Sequence, residues 1–412
     1  MRILVYPHAM EIGGSQTNAI ELAAAVRALG HEVVVYSPDG VLVDRLPDLG
    51  LERLPKRSSR IQPGPATASD LRRIVRERGI DVIHGYEWPP ILEAYAATTA
   101  LPGVACVGTV MSMSVAPFIP ASIPLVVGTR TIQTETQAVR SGRVHLIEPP
   151  VDTEANSPEV RPPPPASLTD LDPATLRLVI VSRLVPDLKL EGILSAIAAV
   201  ATLAETGAVQ LMIVGGGSAE KQVRTAAATV NRRAGRDLVV TAGESQDPRW
   251  AYAWADICLG MGGSALRAMA FGKPLVVQGE DGYFELLDEH SLPGFLRHGW
   301  YGRGRGQAAG PANLIAALKP LLDDPATRDQ LGGLARQTVT ERFSLTAAAQ
   351  VQEAIYRSAL DGSAAPLRHT ADSVRAFAGL AGYKVRRRVE RLHGGSATDD
   401  FNASARTPAR SR

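Results

Sequence analysis

The chain has 412 residues, 45% hydrophobic and 21% charged, with a formal net charge of +2 at pH 7. The length exceeds one typical hydrophobic core, so it implies two domains or one large α/β domain. The near-neutral charge gives no reason to expect a nucleic-acid partner.

In chain order, the opening MRILVYPHAM lacks the apolar core of a secretory signal. No later run approaches the ~18 apolar residues of a spanning helix, so the expectation is a soluble, cytoplasmic protein. Arg2 to Tyr6 reads as a buried strand, EIGGSQ as a loop, and Thr17 to Leu29 as a helix ended by Gly30. Glu32 to Ser37 reads as the next strand, which completes a βαβ unit. A helix over Ser69 to Arg78 and strands at Asp81 to His84, Val104 to Val110 and Leu125 to Gly128 continue the pattern. From Pro149 to Thr175, with the run Pro162 to Pro165, proline-rich sequence predicts a stiff linker rather than a buried element.

The α/β rhythm then restarts. Strands are expected at Leu176 to Ser182, Val209 to Val214, Leu238 to Thr241, Ile257 to Leu259 and Pro274 to Gln278. Helices are expected at Leu190 to Thr202, Ala219 to Arg232, Ala265 to Phe271 and Ala312 to Leu322. The expected division is residues 1–152, a linker 153–175, a second domain 176–345, a crossover helix 346–362, and a basic helix with a disordered tail over 363–412. Two such sheets are Rossmann-like domains, and ligands bind beyond the carboxyl ends of their strands. Facing each other, they would form an interdomain cleft. Cys106 and Cys258 lie in apolar runs and read as buried small hydrophobes, not as a disulfide or metal site.

Three motifs bear on chemistry. Gly13, Gly14 and Ser15 link a strand to a helix, where bare amides and the helix dipole favour a phosphate; a tight βα turn is the plain alternative. Arg183 and Lys189, in SRLVPDLK, follow a strand end, where a planar fork and a point charge can converge on one diphosphate. The alternative is a pair of solvated surface charges. Gly260 to Ser264 is a second glycine-rich turn opening a helix, with Ser264 as its N-cap and the amides of Gly263, Ser264 and Ala265 able to hold a phosphate. Helix packing on the sheet is the alternative there.

These pieces occur in a recognisable order: GGSQTNAIELAAAVRALGHEVVVYS, IEPPVDTEANSP, SRLVPDLK, LMIVGGG, WADICLGMGGSALRAMAFGKPLVV and ERFSLTAAAQVQEAIY. From Met1 to about Leu360 the chain resembles the family-4-type retaining glycosyltransferases of GT-B fold. The resemblance implies a nucleotide-diphosphate sugar donor on the second domain and an acceptor on the first. It also implies last helices that return to the first domain, and no metal or other cofactor. Gly14 matches the family's first phosphate-loop glycine, and Arg183 and Lys189 match its diphosphate-stabilising pair.

The chain departs from the family at three positions. Leu259 and Arg267 stand where the family has two glutamates, and Met111 where it commonly has a histidine. Leucine cannot accept a sugar hydroxyl's hydrogen bond, and arginine donates without accepting. Arg267 could instead contact a phosphate or carboxylate. Two readings follow: an active transferase with altered donor recognition, or a transferase-like binding or scaffold protein that has lost turnover.

Further candidates are His84, Glu87 and Trp88, in IHGYEWPP, as acceptor-pocket residues beside Met111, with Trp88 offering a stacking face. Strand-end packing explains them equally. Glu285 is a candidate near the donor sugar or a helix-start carboxylate, and His8 a candidate beside the first loop. No HExxH, CxxC or paired-carboxylate pattern supports a metal hydrolase. Val374, Phe377, Ala381, Val385, Val389 and Leu392 recur at helical spacing among Lys384, Arg386, Arg387, Arg388 and Arg391. Segment Ser373–Leu392 is thus either a peripheral contact with the inner membrane face or a solvated helix docked on the domain. The donor's base and sugar, the acceptor (sugar, lipid or small molecule) and the oligomeric state are not specified by these residues.

Overall fold

A computed structural model describes residues 1–57, 63–164, 175–205, 207, 209–362 and 369–392, with the side chains of 372–389 in the last stretch. The chain forms two units. Met1–Pro150 and the chain from Leu345 onward make the first, and Val151–Ser344 the second.

The first unit runs β1 (Arg2–Tyr6), α1 (Gly14–Ala28), β2 (Glu32–Ser37), β3 (Glu52–Pro55), α2 (Pro65–Arg78), β4 (Val82–Tyr86), α3 (Trp88–Thr98), β5 (Ala105–Val110), β6 (Leu125–Val127), α4 (Arg130–Val139) and β7 (Val144–Leu146). The strands form one sheet in the order β3-β2-β1-β4-β5-β6-β7, with every pairing parallel. Every residue of β4 and β5 is buried, as expected where helices cover both faces of a parallel sheet. Gly85 permits this locally, because a Cβ there would lie 2.7 Å from the amide nitrogen of Ile91 on α3.

The second unit runs β8 (Leu176–Val181), α5 (Glu191–Leu203), β9 (Val209–Val214), α6 (Glu220–Ala234), β10 (Val239–Gly243), α7 (Arg249–Trp254), β11 (Ile257–Gly260), α8 (Gly263–Ala270), β12 (Leu275–Gln278), β13 (Phe284–Leu286), α9 (Leu292–His298), α10 (Gly310–Leu322) and α11 (Pro325–Arg342). Its sheet order is β10-β9-β8-β11-β12-β13, parallel except for the β12–β13 pair.

The chain then re-enters the first unit as α12 (Leu345–Gly362) and α13 (His369–Leu392). Ile355, Tyr356 and Ala359 of α12 join the core that includes Ile20 and Val26 of α1, and His31 bonds Glu353 at 2.9 Å.

The expected linker is corrected in its first half. Val151 is buried and pairs with Ser344. Arg336 donates to the carbonyls of Thr153 and Asn156, and Arg249 to that of Ala155. Arginine forks thus satisfy backbone acceptors that would otherwise keep this stretch in water. Residues 165–174 of that expected linker, and 363–368 and 393–412 of the expected tail, lie outside the described residues. Strands β3, β7 and β13 and helices α3, α4, α7, α9 and α11 had no place in the sequence reading. The Pro89–Pro90 pair looks like a breaker, yet it occupies the first turn of α3, where no intrahelical donor is needed.

Candidate functional site

In a doubly wound sheet, the loops at the point where strand order reverses diverge and leave a crevice. In the second unit this point lies between β8 and β11, and in the first between β1 and β4.

At the second unit's reversal, β8 leads into Ser182 and Arg183. The Ser182 amide donates to Val214 O and the Leu184 amide to Gly216 O, while the Ala219 amide donates to Leu184 O. The loop carrying Arg183 is thereby laced to the glycine run after β9. Gly215 makes the lacing possible: its φ is +150°, and a Cβ there would stand 1.8 Å from Ser182 O. Arg183 projects from this frame exposed.

Lys189 follows in a tight turn over Pro186–Leu190, where Leu188 adopts φ +65°, a left-handed conformation unfavourable for leucine. Burial, reinforced by the charge on Arg183, pushes the Lys189 ammonium down to about 8. Among the described residues neither side chain has a carboxylate partner. Two cations close enough to repel, one of them pushed down by burial, would attract an anion by charge alone.

On the other side of the reversal, β11 ends at Gly260 and α8 begins. Gly262, at φ +54°, precedes the helix and donates its amide to Trp300 O. The first-turn amides of Gly263, Ser264 and Ala265 have no carbonyl one turn back within the helix. The expected N-cap is corrected. Ser264 sits inside the helix and turns back, its Oγ accepting from the Met261 amide and donating to Met261 O, while Gly262 occupies the cap position. Leu259 is buried in the sheet core. Arg267 lies one turn into α8, with Nη1 3.5 Å from Gly263 O.

Glu285 sits on edge strand β13 and accepts from the Tyr283 hydroxyl, several strands from Arg183. It is a strand residue, not a helix-start carboxylate. The sequence reading missed Glu191, whose carboxylate accepts the amides of Asp281 and Gly282 at 3.1 and 2.6 Å. A carboxylate two residues after Lys189 was its only signal.

In the first unit, Gly13 caps α1 in an extended conformation and Gly14 opens the helix, with open space where its Cβ would be. Beside this turn stands Glu87, buried, at φ +68° between β4 and α3. Its Oε1 accepts from Ser15 Oγ at 2.9 Å and the Met111 amide at 3.0 Å, and its Oε2 from Ser112 Oγ at 2.7 Å. One carboxylate therefore ties together the loops after β1, β4 and β5. Met111 takes part in this network through its backbone amide. His8 contacts Gln16 at 3.2 Å in an exposed position.

Two acceptor-side expectations are corrected. His84 is wholly buried, with Nδ1 2.6 Å from the Tyr356 hydroxyl and Nε2 2.7 Å from Thr109 Oγ1. Burial pushes its imidazolium down to about 3, so it clamps α12 to β4 and β5 and lines no pocket. Trp88 makes T-shaped contacts with Phe118 and Tyr383, at centroid distances of 5.4 and 5.7 Å. The half-buried indole is part of an aromatic cluster with Phe118 and the α13 residue Tyr383, which is packing at the strand end. Among the described residues no group of three or more His, Cys, Asp or Glu could hold a metal ion.

Comparison with known proteins agrees with this layout. Residues 12–120 match the family described as Glycosyltransferase Family 4, and residues 175–324 match Glycosyl transferases group 1. No curated protein sequence matches the chain. Among solved structures, a glycosyltransferase from Rickettsia africae is similar over 87% of this chain and 98% of its own, with TM-score 0.68 and 16% identity. HepE from Anabaena, solved with UDP and glucose, is similar over 86% and 99%, with TM-score 0.65 and 15% identity. The galactosyltransferase WaaB of the lipopolysaccharide outer core, in its apo form, is similar over 87% and 100%, with TM-score 0.56 and 15% identity.

Proposed function

The chain belongs to the family-4-type glycosyltransferases of GT-B fold, and we propose that it moves a sugar from a nucleotide-diphosphate sugar to an acceptor with retention at the anomeric carbon. The observation that carries this reading is the Arg183–Lys189 pair. It is positively charged, without a carboxylate partner among the described residues, and sits at the strand reversal beside the bare amides of α8.

The donor's diphosphate rests on Arg183, Lys189 and the Gly263–Ala265 amides. As the bond from the anomeric carbon to the diphosphate oxygen breaks, negative charge grows on that oxygen, and fixed donors stabilise it there. The acceptor oxygen bonds to the same face of the carbon, and its proton leaves to the departing phosphate oxygen. In this reading the group that neutralises the leaving charge is protein, so no metal or other cofactor is required.

Arg267 and Leu259 alter how the sugar and ribose are read. Neither accepts a hydrogen bond from a hydroxyl, and Arg267 suits a donor with an anionic group near the start of α8. Glu285 stays at the margin of the donor site. The first unit takes the acceptor, a sugar, lipid or small molecule, beside the turn organised by Glu87. The protein works in carbohydrate biosynthesis in the cytoplasm. Calorimetric titration with UDP-, GDP- and ADP-sugars, followed by a donor-hydrolysis assay, tests the reading. Binding of one class, lost in Arg183→Ala, supports it; no binding of any, or unaltered binding in the variant, overturns it.

A further inference from the structure

Helix α13 has two opposite working faces. Asp372 is buried and accepts from the Ser122 amide and from Arg375, each at 2.6 Å. Ala376 is buried in the core beneath it, with Leu380 and Tyr383 packed alongside. Gly379 lies so close to Phe118 that a Cβ would meet its Cβ at 2.7 Å.

The other face is apolar and open: Val374 is 67% exposed, Phe377 75%, Val385 64% and Val389 48%. These are half of the large hydrophobics exposed among the described residues. At about 100° per residue, the docked residues fall in one arc about 100° wide, and the exposed four in an arc about 120° wide on the opposite side. Lys384 borders that stripe on one edge, with Arg388 just inside it, and Arg375 and Arg386 border it on the other. Between Ser373 and Val389 there are five basic residues and no acidic one.

A helix docked on its own unit usually turns polar residues outward. An outward apolar stripe between two cationic margins matches an anionic lipid surface, where apolar side chains enter the acyl boundary and Arg and Lys meet headgroups. No described helix is long and apolar enough to cross a membrane, so the helix would lie in the plane of the surface.

We propose that the outward face of α13 is the docking surface of the first unit for an anionic lipid bilayer. The opposite face, through Asp372, Gly379 and Tyr383, fixes the first unit to the helix, so the bilayer holds that unit and not merely a tail. This deepens the proposed function, and rests on it only in treating the first unit as the acceptor's.

The test is sedimentation of the full chain with sucrose-loaded vesicles of phosphatidylcholine, alone or with one third phosphatidylglycerol. Anionic vesicles should retain the protein about tenfold better than neutral ones, less so as salt rises. The variant Phe377→Asp/Val385→Asp should lose about tenfold in retention with an unchanged melting temperature, since both side chains already face water. Equal binding to both vesicle types, or binding unaltered in the double variant, overturns the proposal. So does a concentration-dependent dimer in light scattering that the double variant abolishes, with no vesicle binding. Nucleotide-sugar titration without vesicles separates the two ideas: a wild type that binds lipid but no donor sinks only the proposed function, and the reverse sinks only the docking surface.

Discussion

Ser15 donates its hydroxyl to Glu87 Oε1 at 2.9 Å across 72 residues of chain. The contact joins the first turn of α1 to the end of β4 at the point where strand order reverses. Because the same carboxylate also takes the Met111 amide and Ser112 Oγ, three loops depend on one buried charge. Replacing Glu87 by Ala orphans the part-buried Met111 amide and should cost about 2 kcal/mol, read as a fall in denaturation midpoint at constant m-value. Glu87→Gln retains an acceptor oxygen and should cost less than half as much. Equal losses for the two would show that packing, not hydrogen bonding, holds the loops.

Arg183→Ala removes a fixed charge from the proposed leaving-group site. Turnover should fall about 100-fold or more, with circular dichroism and melting temperature unchanged because the side chain is exposed. Activity near wild type would remove Arg183 from the mechanism.

Lys189 adds a pH dependence. Its ammonium is pushed down to about 8 by burial and by Arg183. The free protein therefore carries both charges below pH 8 and loses one above it. Donor kcat/KM, which reports the free enzyme, should decline as pH rises through about 8. A flat profile from about pH 7 to 9.5 would contradict the assignment.

Gly215 is a distant test of the same site. A methyl group there would collide with Ser182 O, so Gly215→Ala must displace the Arg183 loop. Loss of kcat/KM by roughly 30-fold, about 2 kcal/mol, is expected although residue 215 bears no functional group.

His84 predicts acid sensitivity. Its folded value is about 3 against an ordinary 6.5. The unfolded chain therefore takes up a proton in the window between them while the folded one does not. Its contribution is intact above pH 6.5 and is lost as pH falls, by up to about 1.4 kcal/mol per pH unit. His84→Asn should show a shallower decline in stability from pH 6.5 to 4; an identical slope would assign the acid sensitivity to other groups.

Most strands of both α/β sheets were legible in the sequence because buried parallel strands are short apolar runs, and such runs survive without knowledge of their neighbours. The Arg183–Lys189 pair and the two glycine turns were legible for a related reason: each lies within a few residues of a strand end. Edge strand β13 and Pro-started α3 were not, since pairing and first-turn geometry decide them. The roles of single side chains needed the third dimension. His84, Glu87 and Trp88 are near neighbours in sequence, yet one clamps α12, one ties three loops and one packs under α13. Sequence alone set the element order and the charge near each strand end. Only tertiary packing decided which polar groups were already satisfied, because a hydrogen bond or a buried face is completed by residues as far away as Tyr356 and Tyr383.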